Sequence, residues 1–201
     1  PASDAALTPR QVIEAVRRFT TDQTVIATDV GQHQMWVAQY YPFSIPRTFL
    51  TSGGLGTMGF GMGAAIGGAI GSGMQKTVLF TGDGSFHMNL QELATAVTHG
   101  IPLVVVIMNN HVLGMVRQWQ TLFFEKRYAQ TTLNRKTDYV KLAESFGAVG
   151  FRVERQEELA GVLEQAFGTP QPVVIDCVID RDEKVLPMIP PNGTIDTIIL
   201  R

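Results

Sequence analysis

The chain has 201 residues and a formal net charge of −2, from 18 acidic and 16 basic side chains. A nucleic-acid binder normally carries a basic surplus, so that class is set aside. With 45% hydrophobic residues, a chain of this length can bury roughly 70% of its extended surface, and neither a disulfide nor a structural metal is needed.

Residues 1–8 read as a linker, residues 9–180 as one domain and residues 181–201, with Pro187, Pro190 and Pro191, as a tail. The opening Pro1-Ala2-Ser3-Asp4 lacks the apolar stretch of a signal peptide, and the missing initiator Met points to a processed product or a piece of something longer. A helix is expected over Pro9–Phe19, capped by Thr8, with Val12, Ile13, Val16 and Phe19 as its apolar stripe. Thr24–Thr28 reads as a strand, Met35–Tyr41 as helix or loop, and Arg47–Leu50 as a second strand. Gly59–Gly71 reads as a buried helix of small residues, despite a cost of about 1 kcal/mol for each interior glycine. Its surroundings, Met58–Met74, are the nearest approach to a membrane span, but 17 glycine-rich residues are too few, and no membrane is expected. Lys76–Thr81 is the third strand, Asn89–His99 a helix, and Pro102–Met108 a strand apolar on both faces, as in a parallel sheet covered by helices. A short helix over Val112–Gln120, an aperiodic connection over Thr121–Lys136, a helix over Asp138–Phe146 and a strand near Gly150–Val153 follow. Helix Gln156–Phe167 and strand Pro172–Ile179 close the pattern, and place the one cysteine, Cys177, in the core. Six alternations of strand and helix predict an α/β fold: a mostly parallel six-stranded sheet with helices on both faces.

Ligands of open parallel sheets bind beyond the carboxyl ends of the strands. Three strands deliver polar or glycine-rich residues there: Asp29–His33, Gly82–Ser85 and Asn109-Asn110. Each alone is an ordinary turn composition; together they mark one edge. Asp83 and Asn110 lie 27 residues apart, about one loop-helix-strand unit, so both can emerge from neighbouring strands. A carboxylate and an amide oxygen are hard ligands suited to Mg²⁺, and two protein side chains leave positions for a carbonyl, water and the oxygens of a diphosphate. Backbone amides of the Gly82–Ser85 turn can face those phosphates. The glycines match neither a Walker A loop nor a dinucleotide fingerprint. Glycine is in excess, 20 residues where about 14 are usual, which implies close backbone approach to another helix or to a ligand.

Gly82-Asp83-Gly84 followed after 24 residues by Asn109-Asn110 resembles the thiamin-diphosphate motif. Asp29–Trp36 (DVGQHQMW), Thr51–Gly61 (TSGGLGTMGFG), Gly82–Leu93 (GDGSFHMNLQEL) and Asn109–Gln120 (NNHVLGMVRQWQ) resemble the large, catalytic subunit of the acetolactate synthase (acetohydroxyacid synthase) family over nearly the whole chain. The resemblance implies the C-terminal, thiamin-diphosphate-binding domain of that subunit, preceded by the end of an interdomain linker. It assigns Mg²⁺ to the side chains of Asp83 and Asn110 and the carbonyl of Val112. It assigns the diphosphate to Gln32, His33, Gly84 and Ser85, and the organic rings of the cofactor to Gly56, Met58 and Met115. Trp119, with Met115, would line the substrate channel, and Gln120–Lys136 would order over the cofactor. Read without the resemblance, Met115, Val116 and Trp119 are a helix's buried stripe. One position departs: Gly63 stands where the family commonly has proline, which touches no metal or phosphate contact.

The implied reaction decarboxylates pyruvate and condenses the remaining two-carbon unit with a second pyruvate or 2-ketobutyrate. The glutamate that activates the cofactor belongs in that family to the pyrimidine-binding domain of a neighbouring subunit, and neither Glu92 nor any other glutamate of this chain matches it. A homodimer or tetramer with composite active sites is therefore implied, with no turnover by this chain alone. The family also carries FAD, mainly through its other domains, and can have a regulatory small subunit. A bacterial member would be cytoplasmic, a eukaryotic one plastid or mitochondrial. The competing readings are another thiamin-diphosphate enzyme, such as a pyruvate oxidase or glyoxylate carboligase, and a non-catalytic α/β module.

Overall fold

A computed structural model describes residues 7–200; the first six residues of the expected linker, and Arg201, lie outside the described part. Six strands form one sheet: β1 (Ile26–Thr28), β2 (Phe49–Leu50), β3 (Thr77–Gly82), β4 (Leu103–Asn109), β5 (Val149–Val153) and β6 (Val173–Val178). Their spatial order is β2-β1-β3-β4-β6-β5, and every pairing is parallel, where a mostly parallel sheet was expected. The helices are α1 (Pro9–Arg17), α2 (Gln32–Tyr40), α3 (Phe60–Gly71), α4 (Asp83–Asn89), α5 (Leu93–Thr98), α6 (Gly114–Phe123), α7 (Tyr139–Phe146) and α8 (Leu159–Gly168). Among the described residues no helix is long and apolar enough to cross a membrane.

Successive strand residues face opposite sides, and the apolar runs fill two cores accordingly. Val104, Val106 and Met108 join Val78, Phe80, Ile175 and Cys177 beneath α1, α2 and α8. Leu103, Val105 and Ile107 join Leu79 and Val174 beneath α3, α5 and α7. Cys177 is buried, as expected.

Local chemistry sets the element ends. Thr8 caps α1 by accepting from the Gln11 amide, and the Gln11 side chain accepts from the Thr8 amide in return; Leu7, also read as linker, is buried in the core. Asp138 caps α7. The expected helix Asn89–His99 is two helices joined by a 3₁₀ turn over Leu90–Glu92, and α4 begins already at Asp83. Asp, Gly and Ser are weak helix formers, so the pattern hides this start; burial of Phe86 against the sheet holds it. The aperiodic connection begins only after α6 has run on to Phe123. The tail is packed: Val185 is fully buried, and Met188 bridges Ile199.

The chain leaves β1 toward one edge of the sheet and β3 toward the other. The crevice between their carboxyl ends is therefore the topological switch point where such folds bind ligands.

Candidate functional site

At that switch point lies a cavity of about 100 Å³, lined from α2 by Gln32 and His33, from the β3–α4 junction by Gly82, Asp83, Gly84 and Ser85, and from the segment after β4 by Asn110, Val112 and Met115. Met58 closes one side. In the β3–β4 ladder Gly82 stands opposite Met108, so the strands that carry Asp83 and Asn110 end side by side.

The two consecutive asparagines divide their work. Asn109 donates to the buried Asp176 on β6 at 2.9 Å, an interaction continued by Arg152 at 3.1 Å from the other oxygen. Asn110 turns to the cavity: its Nδ2 donates to Gln32 Oε1 at 3.2 Å, and its Oδ1 accepts from the Val112 amide at 3.2 Å. One lone pair of that oxygen stays open, because a carbonyl oxygen has two. Burial pushes the Asp83 carboxyl up to about 7, while the Gly84 amide and the Arg135 guanidinium charge pull it down. A buried carboxyl so weakly compensated either keeps its proton or is matched by a cation. Arg135 itself donates to the Asp83 carbonyl at 3.1 Å.

His33 is 4% exposed, its Nε2 has no hydrogen-bond partner, and burial pushes the imidazole down to about 3. Buried polar atoms are normally paired, so an orphan in a cavity wall marks the place of an absent partner. Ser85 donates its hydroxyl to the Val30 carbonyl. The walls are glycine by necessity. A Cβ on Gly82 would stand 3.0 Å from the His33 ring, one on Gly84 2.9 Å from Leu113, and one on Gly114 1.9 Å from Gln32 Oε1.

Two expected residues sit elsewhere. Gly56 is on the exposed loop before Met58, outside the lining, with φ +61° and its nearest neighbour the Val30 side chain. Trp119 lines a second, wider cavity of about 690 Å³ with Met115, Val116, Gln120, Phe124 and Arg127. Met115 and Val116 border both cavities, so the two adjoin. Val116 and Trp119 are exposed, so the reading of these residues as a buried stripe fails. The segment 121–136 is tied down beside the site: Leu113 donates to Thr131 O and Leu133 to His111 O, both at 2.8 Å.

Sequence reasoning missed Gly31, Leu113, Gly114 and Arg135 at this site. Gly114 had a usable signal, a glycine four residues after a candidate ligand, where backbone must pass close by. It also assigned no role to Asp29, whose buried carboxylate accepts from the amides of Val30, Gly59 and Gly61 at 2.9, 2.8 and 3.3 Å and so anchors the loop that carries Met58.

Residues 29–177 match the family model described as thiamine pyrophosphate enzyme, C-terminal TPP binding domain. The chain is 46% identical over 199 residues to an acetolactate synthase large subunit of Haemophilus influenzae, covering 98% of this chain and 35% of that protein. It is 43% identical over 191 residues to one of Lactococcus lactis (95% and 33%), and 46% identical over 176 residues to a probable one of Methanocaldococcus jannaschii (88% and 30%). The chain thus spans about a third of the length of these relatives. A match over most of its length, centred on the cavity just described, places the chain in the thiamine pyrophosphate enzyme family, as the C-terminal TPP-binding domain.

Proposed function

We propose that this chain is the metal- and diphosphate-holding part of an acetolactate synthase, which decarboxylates pyruvate and joins the two-carbon product to a second pyruvate or to 2-ketobutyrate. One observation carries the reading: Asp83, Asn110 and a partnerless His33 Nε2 line a single glycine-walled cavity at the switch point of the sheet. The residues fit Mg²⁺ and thiamin diphosphate. Asp83, the Asn110 amide oxygen and the Val112 carbonyl would hold the cation, and Gln32, His33, Gly84 and Ser85 the diphosphate. Gly56, Met58 and Met115 would stand toward its organic end. Among the described residues no group of three or more His, Cys, Asp or Glu can hold a metal unaided. Water and diphosphate oxygens would complete the shell, so cation and cofactor would bind together.

When bound, thiamin diphosphate supplies the electron sink that ketoacid decarboxylation needs. The chain's own residues do the rest of the holding. Asp83 would offset part of the cation's charge, His33 would turn its unpaired Nε2 to the diphosphate, and the Asp29-anchored loop keeps Met58 against the cavity. Val116, Trp119 and Phe124 would offer an apolar wall to a ketoacid, and would help exclude water once a further domain covered them. No glutamate lines either cavity, so the group that activates the cofactor would come from another domain of a neighbouring subunit. A homodimer or tetramer follows, and FAD and a regulatory small subunit belong to the same reading, as does a cytoplasmic location in a bacterium.

The test is Mg²⁺-dependent binding of thiamin diphosphate, followed calorimetrically. Asp83→Ala should abolish it; binding unaltered in that variant would remove the metal role. Product analysis of the whole protein with pyruvate should give acetolactate, whereas acetyl phosphate or acetaldehyde would point to another member of the family.

A further inference from the structure

Helix α6 is inside out. Val116, Trp119 and Phe123 are exposed, and its one fully buried side chain is Gln118, 3% exposed. Burying a primary amide is costly unless its donors and acceptor are all engaged, and these are. Gln118 Oε1 accepts from Gln32 Nε2 at 2.9 Å and from the Val185 amide at 2.8 Å. Its Nε2 donates to the Val185 carbonyl at 3.0 Å and to the Met188 sulfur at 3.3 Å. Gln32 Nε2 donates onward to the Glu183 carbonyl at 3.0 Å, and Gln32 Oε1 accepts from Asn110 Nδ2. The segment after β6 is thus laid across α2 and α6, with Trp36 donating to the Lys184 carbonyl at 3.3 Å and Arg117 paired with Asp182 at 2.8 Å.

We propose that Gln118 is a positioning residue of the metal–diphosphate site: through Gln32 it holds the Asn110 amide in the orientation that leaves Oδ1 for the cation, and it makes residues 182–188 part of that site. The inference rests on the functional reading above. Its logic is directional. Asn110 can present nitrogen or oxygen to the cavity, and only oxygen ligates Mg²⁺. Two contacts fix it: the Val112 amide, which pairs only with oxygen, and Gln32 Oε1, which pairs only with nitrogen and faces Asn110 while Gln32 Nε2 is taken by acceptors on the far side. Gln118 Oε1 is one of those acceptors, and Gln118 is fixed in turn by pairing with both the amide and the carbonyl of Val185. Removing Gln118 takes away one of the two acceptors that hold Gln32 Nε2, and so loosens one of the two contacts that orient Asn110. Gly114 leaves the room in which the pair meets: a Cβ there would fall 1.9 Å from Gln32 Oε1 and 2.9 Å from Asn110 Nδ2.

The experiment uses the whole protein that carries this chain. Mg²⁺ is titrated at saturating thiamin diphosphate, with binding read by calorimetry. Gln118→Met keeps the length of the side chain and none of its hydrogen bonds. The expected result is a Mg²⁺ requirement raised about tenfold or more, the usual effect of losing a group that orients a metal ligand. Hydrogen exchange at the Val185 amide gives a second readout that needs no variant. In the wild type, Mg²⁺ with thiamin diphosphate should slow exchange at Val185 and leave Leu163 on the remote α8 unchanged. Should Gln118→Met fail to fold, the wild-type exchange decides alone. An unchanged Mg²⁺ requirement in the variant, or Val185 exchange indifferent to the ligand in a wild type that binds it, overturns the positioning role only. A wild type that binds no cofactor overturns the functional reading and this inference together.

Discussion

At the scale of single residues the site is built by side chains that need partners and by glycines that make room. Gly114 and Gly161 both lie in helices, yet a Cβ on Gly161 meets nothing within 4 Å, while one on Gly114 overlaps Gln32. Gly161→Ala should therefore stabilise the chain by up to about 1 kcal/mol, the propensity difference in a helix. Gly114→Ala should cost about 1–3 kcal/mol through overpacking and should also weaken Mg²⁺-dependent cofactor binding. Urea denaturation of the pair checks both signs. His33 adds a pH dependence. Its folded-state pKa, pushed down to about 3 by burial, lies below the usual value of about 6.5, so between those values the unfolded chain binds the proton and the folded chain does not. Its contribution to stability is complete above about pH 6.5 and is lost as pH falls toward about 3. Compared with His33→Asn, the wild type should lose stability across that window, seen as a narrowing gap in urea midpoint; a gap independent of pH would show that the imidazole is not held neutral by its burial.

At the scale of elements, α3 shows how an anion organises a segment far along the chain. Its amino end begins at Gly59, in the left-handed region at φ +92°, and the Asp29 carboxylate takes the amides of Gly59 and Gly61. Asp29→Ala would orphan those donors and Val30 N, costing about 2–3 kcal/mol if one of them stays buried and unpaired. The loss should appear in denaturant titration together with looser packing of Met58. Within α3, a Cβ on Gly61 would stand 2.8–2.9 Å from Leu79 and Asp29, and one on Gly68 2.9 Å from Leu50 and Val25, while Gly63, Gly67 and Gly71 meet nothing within 4 Å. The glycine excess thus reflects close approach at two positions, and at the other three no described residue accounts for it. Strands β3, β4 and β6 were legible because their apolar runs are long and helices cover both faces of the sheet. The start of α4 was not, nor the first turn of α2, whose remainder reads only as helix or loop. Both helices open with buried polar residues that line the cavity (Gln32, His33, Asp83, Ser85), and their buried apolar residues, Trp36, Val37 and Phe86, come only later, so the hydrophobic period that betrays a helix is missing at its start, where function replaces packing. The same logic hid Gln118: a glutamine between Arg117 and Trp119 reads as surface, and only the fold brings Val185, 67 residues away, to bury it.

At the scale of the whole molecule, both cores are closed by the chain's own helices, whereas the site is open on one side. The first cavity has Asp83 as its single carboxylate, the second has none, and the apolar wall of Val116, Trp119 and Phe124 faces outward. On the function proposed above, Asp83, Asn110, Val112, Gln32, His33, Gly84 and Ser85 would hold a metal-bound diphosphate, and little beyond Met58 and Met115 would be left for the organic part of the cofactor. Isolated, this chain should therefore fold cooperatively and bind Mg²⁺ with inorganic pyrophosphate nearly as well as Mg²⁺ with thiamin diphosphate, within about tenfold, a difference of about 1.4 kcal/mol. It should release no acetolactate from pyruvate. In a whole protein with the further domain proposed above, thiamin diphosphate should outcompete pyrophosphate by far more. Competition calorimetry on the two proteins measures the difference directly. A strong preference for thiamin diphosphate in the isolated chain would mean that the wall formed by Met58, Met115 and Trp119 recognises the rings unaided, and turnover by that chain would place the activating group within it.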